Sequence, residues 1–497
     1  MRHVARRPLS GAAVPGAHVI VMKFGGTSVG VPEHFGNAIR LVHDRAARHP
    51  IVVVSALSGV TNLLVEYAHD AESRDATAQR IEQRHLEFAR AVELDAALLD
   101  AELEAFRREH HRHRGIAKPL DAEARDRVLA FGERLSATSF AAGLRRAGLA
   151  AIAILAGDAG LVTDERFGAA HPLPEAYPLL AQALAQSATI AVVTGFLGRT
   201  ADGRPTTLGR GGSDYSAALI GAALGVEEIQ IWTDTSGMLS ADPRIVPEAR
   251  PVPRLSFAEA SELAYFGARV LHPKTLLPAI ERDIPVRILN TALPEDPGSL
   301  ITASAELAGE HWRVKSIACK QGVTAVTIAS SRMLLAHGFL ARVFEVFGRH
   351  HVVVDLVTTS EVSISVTVDD VSRLNDAIAE LEAIGRVEVR SGLAVVAVVG
   401  EGAPQRLGLA GHVFTLLGGV GVGVEMISQG ASRVNLSFVV RDDDAQKTVR
   451  LLHRGLGLDA ELDVSPAAKS AAPPATGSAT PPTKGAATPP ATGAARG

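Results

Sequence analysis

The amino-acid sequence predicts an α/β protein with a large N-terminal half and two smaller repeated modules. In the large half, apolar runs such as 51–57, 149–155 and 189–196 alternate with helical stretches, which is typical of strands alternating with helices. After the turn-rich segment 294–298 the pattern shortens to strand, helix, strand, strand, and this order occurs twice. The repetition predicts two consecutive βαββαβ modules.

Composition restricts the class of protein. The chain has 497 residues, 47% of them hydrophobic and 21% charged, which is enough for two or three domains with aliphatic cores. A net charge of −4 argues against general nucleic-acid binding. The single cysteine, Cys319, excludes an internal disulfide framework and fits a reducing cytoplasm. No apolar run approaches the roughly 20 residues that span a bilayer, so no membrane partner is expected.

The first candidate site follows the first strand. The sequence VMKFGGTSVG (21–30) places Lys23 at the end of an apolar run, directly before Gly25 and Gly26. A strand, a glycine turn and a helix start gather backbone N–H groups and a positive helix end, which suits an anion. The alternative is an ordinary strand-to-helix turn with a snorkelling lysine.

A charged helical region is predicted over residues 75–114. It ends in EHHRHR, where His110, His111 and His113 suggest a metal site. We favour a solvated helix face, because no cysteine or carboxylate completes a coordination set there.

The second candidate site is the glycine cluster in TTLGRGGSDYSAAL (206–219). Gly211 and Gly212 let the backbone pass close to a ligand, Arg210 offers a bidentate fork, and Asp214 opens the following helix. Two glycine-lined anion sites, each beside a cation, suit a substrate that carries several negative charges.

Four motifs together resemble the aspartate kinases: KFGGTSV (23–29), the cluster at 206–219, WTDTSGMLSADPR (232–244) and AYFGARVLHPKT (264–275). The resemblance covers nearly everything between the two tails. It implies an amino-acid-kinase fold, an open α/β sandwich that holds ATP and an amino acid across one sheet edge. The two small modules resemble ACT domains, which bind an end-product amino acid in this family, and the chain is most similar to the lysine-sensitive monofunctional type.

The resemblance also implies the domain organisation. We expect a disordered extension (1–17), a catalytic domain (18–302), two ACT-type domains (314–390 and 391–464) and a disordered Pro/Ala/Thr/Gly tail (465–497), with the strand at 314–320 free to pair with the second module.

The implied reaction transfers the γ-phosphoryl group of ATP to the side-chain carboxylate of L-aspartate, the first step of lysine, threonine and methionine biosynthesis. A carboxylate of pKa about 3.9 is already ionised at pH 7, so no general base is needed. The obstacle is repulsion between anions, about 4 kcal/mol for each unit pair at about 4 Å and a dielectric of 20. Catalysis must therefore depend on cations and positioning.

The resemblance assigns roles residue by residue. Lys23 should bridge the carboxylate and the phosphoryl group, and Asp214 should orient Lys23; a plain N-terminal helix acid is the alternative for Asp214. The expected aspartate-binding residues are Ser55, Thr61, Glu133 for the ammonium and Arg210 for the α-carboxylate.

The expected nucleotide-binding residues are Lys23, Gly25, Gly26, Gly211, Gly212, Thr233, Asp234, Leu239, Arg244 and Arg269. Leu239 stands where a tyrosine is common, so an aromatic contact to the nucleotide is missing, and Arg269 stands where a lysine is usual, which keeps the charge but changes its geometry. Mg²⁺ is expected with ATP, held mainly by phosphates and water, with no metal site of its own. His272 has no proton to move in this chemistry and is interpreted as structural.

For feedback control, the resemblance points to the first module. The expected effector-binding residues are Met333, Gly338, Leu340, Asp355 and Ser360, with lysine favoured over threonine. In the second module, segment 426–432 and Asn435 resemble interface or second-effector residues. The modules should pair between subunits, giving a homodimer or homotetramer. The alternative to feedback control is that both modules only dimerise. Competing functions are a glutamate or acetylglutamate kinase and a non-catalytic amino-acid sensor.

Overall fold

The computed structural model describes residues 19–185, 189–267, 271, 273–305, 314–333, 337–429 and 433–459. The two predicted disordered tails, Arg269 and His272 lie outside the described residues.

Sixteen strands and fourteen α-helices are present in this part of the chain. The strands are β1 Ile20–Phe24, β2 Ile51–Val54, β3 Ala151–Ile154, β4 Ile190–Thr194, β5 Leu197–Arg199, β6 Pro205–Thr207, β7 Glu228–Thr233, β8 Arg254–Ser256, β9 Val286–Asn290, β10 Ser299–Thr302, β11 Ser316–Ala329, β12 Val357–Thr359, β13 Ser363–Val368, β14 Arg386–Val399, β15 Met426–Ser428 and β16 Asn435–Arg441. The helices are α1 Gly26–Gly30, α2 Pro32–Asp44, α3 Val60–His69, α4 Arg74–Ala91, α5 Asp100–His113, α6 Ala122–Arg146, α7 Ala176–Leu184, α8 Gly212–Leu224, α9 Phe257–Phe266, α10 Pro273–Arg282, α11 Phe339–Arg349, α12 Leu374–Leu381, α13 Leu409–Gly419 and α14 Asp442–Gly455.

An eight-stranded sheet forms the large half, in the order β3-β4-β2-β1-β7-β9-β10-β8. In this order the first six strands, β3, β4, β2, β1, β7 and β9, are all parallel, whereas β10 is antiparallel to β9. Side chains alternate along β1: Val21 packs in the core that contains α8, and Met22 packs in the core that contains α6. Helices therefore cover both faces, as expected for a parallel sheet. The carboxyl ends of β1, β2, β4 and β7 meet at one edge.

The two small modules share one antiparallel sheet of six strands, in the order β12-β13-β11-β14-β16-β15. The two long central strands run through both modules. Residues 325–329 of β11 pair with 386–390 of β14, whereas residues 316–320 pair with 395–399. The second module is thus completed by residues 316–320, which belong to the first module in the chain, whereas residues 386–390 pair within the first module.

The charged region at 75–114 is not one continuous helix. The helix α4 ends at Ala91, a 3₁₀ helix follows at Ala96–Leu99, and α5 begins at Asp100. The interpretation of its histidines as a solvated face is wrong for His113, which is 4% exposed and lies 3.4 Å from the Glu109 carboxylate. Burial lowers the pKa of His113. Among the described residues, no group of three or more His, Cys, Asp or Glu is arranged to hold a metal ion.

None of the helices in the described ranges is long and apolar enough to cross a membrane.

Candidate active site

Lys23 and Asp214 form an ion pair at the carboxyl edge of the large sheet. The Lys23 Nζ lies 2.6 Å from Asp214 Oδ1, and both side chains are about nine-tenths buried. The strand β1 carries Lys23 between β2 and β7, where its register partners are Val53 and Ile231. Asp214 is in the first turn of α8. The structure therefore brings the two residues with predicted catalytic roles into direct contact.

The glycines after β1 allow the backbone to pass very close to its neighbours. A Cβ on Gly30 would lie 2.4 Å from the Ser58 nitrogen, and one on Gly26 would lie 3.0 Å from the Ala56 carbonyl oxygen. The prediction that both Gly25 and Gly26 present amides to a phosphate is wrong for Gly25, because its N–H donates to the Trp232 carbonyl at 3.0 Å. Gly26 begins α1, so its N–H has no acceptor within that helix.

The Arg210 loop depends on left-handed glycines. Gly209 has φ 80° and Gly211 has φ 69°, values that side chains rarely adopt. A Cβ on Gly212 would lie 2.5 Å from the ring of Phe196. Arg210, between these two glycines, is exposed.

Sequence reasoning missed Asp126, which anchors this loop. Its carboxylate is fully buried and accepts hydrogen bonds from the Thr207 N–H (2.8 Å), the Thr207 hydroxyl (2.9 Å) and the Gly168 N–H (2.8 Å). Asp126 lies two helical turns before Glu133 on α6, so the two carboxylates lie on the same side of the helix. This spacing could have indicated Asp126 from the sequence.

Glu133 is a buried carboxyl without a cation. It is 4% exposed, and its Oε1 accepts the Ala56 N–H at 3.1 Å. No lysine, arginine or histidine in the described part of the chain forms an ion pair with it. Burial raises the pKa of Glu133 to about 8, although the Ala56 hydrogen bond acts in the opposite direction. The site thus contains an uncompensated acidic group that a ligand cation could neutralise.

The two remaining predicted aspartate-binding residues lie near this group. Ser55 directly follows β2, and its N–H donates to the Phe24 carbonyl at 3.1 Å. Thr61 is exposed in the first turn of α3.

Four of the predicted nucleotide-binding residues line one cavity of about 270 Å³. They are Thr233, Asp234, Leu239 and Arg244. Segment 316–319 of β11 forms another part of the wall, so the regulatory half closes this cavity. The Arg244 guanidinium is paired with Asp242, 3.0 Å from Nε to Oδ1. Lys23, Gly211 and Gly212 are not part of this lining.

The predicted effector residues lie around the start of α11 and β12. Met333 ends a 3₁₀ helix, Gly338 precedes α11 with φ 75°, Leu340 is 44% exposed, and the Ser360 hydroxyl is 2.7 Å from that of Ser363.

Asp355 has partners that the sequence did not reveal. Its side chain is fully enclosed; one oxygen is 3.2 Å from the Lys320 Nζ and the other accepts the Tyr265 hydroxyl. The same Lys320 Nζ lies 2.8 Å from Asp369. The motif at 264–275 contains Tyr265 but does not indicate this contact, because Tyr265 is 90 residues from Asp355 in the chain.

Comparison with known proteins agrees with this architecture. Residues 18–290 match the model of the amino acid kinase family, and residues 326–383 and 396–456 each match the ACT domain. The lysine-sensitive aspartokinase 3 of Escherichia coli is 37% identical over 455 residues, which cover 88% of this chain and 99% of the relative. The chloroplastic aspartokinase 2 of Arabidopsis thaliana is 38% identical over 458 residues, covering 87% of this chain and 83% of the relative.

The crystal structure of E. coli aspartokinase III in complex with aspartate and ADP (R-state) superimposes with a TM-score of 0.76 at 35% identity, covering 88% of this chain and 99% of that one. The complex of the same enzyme with lysine and aspartate (T-state) gives a TM-score of 0.71. The fold, both module types and the extent of these matches show that this chain belongs to the aspartokinase family.

Proposed function

We propose that this protein transfers the γ-phosphoryl group of ATP to the side-chain carboxylate of L-aspartate, forming 4-phospho-L-aspartate. The observation that carries the proposal is Glu133, a buried carboxyl that accepts the Ala56 N–H just after β2, the strand beside the β1 strand that carries Lys23, and that forms no ion pair with a described residue. A ligand with an ammonium group would stabilise the ionised form of Glu133, which burial disfavours. The E. coli aspartokinase III structure that matches with a TM-score of 0.76 was solved in complex with aspartate and ADP.

The aspartate subsite uses complementary charges. Glu133 would bind the α-ammonium, and Arg210 would bind the α-carboxylate through its planar fork. Ser55 and Thr61 would line the pocket at the end of β2. A simple diacid would leave Glu133 unpaired, so the site should select an amino acid.

Lys23 would act on the reacting groups. Its ammonium, held by Asp214, reduces the repulsion between the attacking carboxylate and the phosphoryl group. Asp214 is a positioning residue, because the attacking carboxylate is already ionised and requires no base. The alternative role for Asp214, a helix N-terminal acid, does not explain its 2.6 Å contact with Lys23.

The nucleotide would lie between this site and the cavity lined by Thr233, Asp234 and Leu239. Arg244 would reach the phosphates by leaving Asp242. A Mg²⁺ ion would arrive with ATP and be held mainly by phosphates and water.

We further propose feedback inhibition by lysine, with threonine as the second candidate. The support is the enclosed Asp355 carboxylate in the first module and the E. coli relative that is named lysine-sensitive. We propose Met333, Gly338, Leu340 and Ser360 as the other residues of this effector site.

The modules would also pair between subunits. The edge strands β12 and β15 have no further strand beside them in the described sheet, and Val357 and Ile427 on them are 39% and 48% exposed. Light scattering would distinguish a dimer from a tetramer and would count against the pairing if it found a monomer.

The experiment that tests the function is acyl-phosphate formation from ATP, Mg²⁺ and aspartate, trapped with hydroxylamine. Activity that requires aspartate, and that glutamate does not support, is expected. Repeating the assay with millimolar lysine or threonine identifies the effector. A lack of product with aspartate would leave the non-catalytic sensor as the better explanation.

A further inference from the structure

The helix α9 of the catalytic half presents three polar side chains to the regulatory half. They are Glu259, Glu262 and Tyr265, each three residues after the last, so they lie along one side of the helix. Each contacts a different part of the regulatory half.

Glu259 forms the most buried of these contacts. Its Oε2 is 2.8 Å from the Lys315 Nζ, and its Oε1 accepts the Glu401 N–H at 2.6 Å. Both side chains of the Glu259–Lys315 pair are at most 3% exposed. This contact fixes the beginning of α9 to the regulatory half.

Glu262 and Tyr265 reach the two modules separately. The Asn435 side-chain amide of the second module donates to Glu262 at 2.6 Å. The Tyr265 hydroxyl donates to Asp355 of the first module, and the Lys320 ammonium lies 4.7 Å from the centre of the Tyr265 ring. One helix therefore contacts both modules.

The far end of α9 borders the nucleotide cavity. Leu263 and Gly267 line that cavity together with Cys319 of β11. A Cβ on Gly267 would lie 2.6 Å from the Cys319 carbonyl oxygen, so the two backbones touch directly beside Lys320. Movement of the end of α9 would change the cavity wall.

The charges around Asp355 favour an additional cation. Asp355 and Asp369 contribute two negative charges and Lys320 one positive charge, which leaves one negative charge in excess. An effector ammonium would balance it. Because Asp355 already accepts hydrogen bonds from Lys320 and Tyr265, the incoming ammonium must compete with the neutral Tyr265 hydroxyl, the weaker of the two donors.

We infer that α9 transmits effector binding at Asp355 to the nucleotide cavity, with Tyr265 as the positioning residue that makes the contact. This inference rests on the effector site proposed above. Without effector, the Tyr265–Asp355 hydrogen bond holds the end of α9 against β11. With effector, the bond is lost and the cavity wall formed by Leu263 and Gly267 is released.

The test uses calorimetric affinities of the full-length protein for ADP and for lysine, each measured with and without the other ligand. In the parent protein, saturating lysine should weaken ADP binding at least fivefold. Tyr265→Phe should bind lysine as tightly as the parent or a few fold more tightly, because a competitor for Asp355 is gone. The affinity of Tyr265→Phe for ADP should change less than twofold when saturating lysine is added. Tyr177→Phe, which removes the hydroxyl of a half-buried tyrosine in α7, should behave as the parent.

A Tyr265→Phe variant that keeps the parent coupling between lysine and ADP would overturn the inference. If the parent binds neither lysine nor threonine, the proposed effector site is refuted. The role of α9 is then tested separately by a double-mutant cycle on ADP affinity, measured without effector. Tyr265→Phe, Asp355→Asn and the double variant should then shift ADP affinity by the same factor, about threefold or more. Unchanged or additive affinities would contradict the role of the Tyr265–Asp355 contact.

Discussion

The Nζ of Lys23 lies 2.6 Å from the Oδ1 of Asp214, although the two residues come from different strand–turn–helix units of the sheet edge. A buried pair of this kind leaves an unpaired charge when either member is removed, at a cost of about 3–5 kcal/mol in stability. The pair therefore affects both the fold and the proposed chemistry, and double substitution can separate the two effects.

Lys23→Met should reduce kcat at least about 10³-fold, because it removes the cation that offsets repulsion at the reacting groups. Asp214→Asn should reduce kcat about 10- to 100-fold, because Lys23 keeps its charge but loses its position. Steady-state hydroxamate assays measure both values.

The double variant Lys23→Met/Asp214→Leu should regain thermal stability relative to Lys23→Met without regaining activity. Activity of Lys23→Met within tenfold of the parent would show that Lys23 does not act on the reacting groups.

The buried Glu133 carboxyl predicts how the free energy of unfolding depends on pH. Its pKa in the folded protein is about 8, well above that of an exposed glutamate, so the folded state keeps a proton that the unfolded state releases. The free energy of unfolding should therefore fall as pH rises from about 4.5 to 8, by at most about 1.4 kcal/mol per pH unit from this group. Glu133→Gln should remove that slope, as measured by denaturant unfolding at several pH values.

Aspartate binding should show the opposite trend. The ammonium of aspartate requires the ionised Glu133, so the affinity for aspartate should rise with pH up to about 8 and binding should release a proton. Calorimetry in buffers of different ionisation enthalpy counts that proton. An aspartate affinity that is independent of pH between 6 and 8 would argue against the Glu133–ammonium contact.

Gly30→Ala tests the close approach of α1 to the loop after β2. The added Cβ would lie 2.4 Å from the Ser58 nitrogen, so the backbone must shift and stability should fall by about 2 kcal/mol or more. Gly36→Ala in α2 is the matched control, because no atom lies within 4 Å of its Cβ position. It should stabilise the protein by up to about 1 kcal/mol. Equal unfolding midpoints for the two variants would contradict this packing.

Arg244→Gln tests the nucleotide cavity. If Arg244 leaves Asp242 to reach the phosphates, its loss should raise the KM for ATP about tenfold and change the KM for aspartate less than twofold. Arg254→Gln on the exposed side of β8 is the control and should change neither. An ATP KM that is unchanged in Arg244→Gln would remove this residue from the proposed site.

The sequence predicted those features that depend on local pattern. Runs such as 51–54 and 190–193 are apolar without interruption, which is expected for strands covered on both faces, and both lie in strands of the large sheet. The glycine turns beside Lys23 and Arg210 were recognisable because few other residues fit such backbones. The helix break between Ala91 and Asp100 was not recognisable from the sequence, because the helical propensity of these residues differs little from that of their surroundings.

Tertiary contacts set the limit of prediction at the candidate sites. The hydrogen bond that removes the Gly25 amide from the phosphate site comes from Trp232, more than 200 residues away. The Tyr265 contact of Asp355 likewise follows from how α9 docks on the six-stranded sheet, and the Lys320 contact follows from packing within the first module; no local pattern specifies either.

The pairing of residues 316–320 with the second module also determines how the regulatory half can be divided. These residues belong to the first module in the chain but complete the sheet of the second, whereas residues 386–390 pair within the first module. A cut between the modules at residue 391 would divide β14 and separate 316–320 from its partner strand. We therefore expect the two repeats to unfold together, and a protein engineer who wishes to transplant the effector response must move both repeats together.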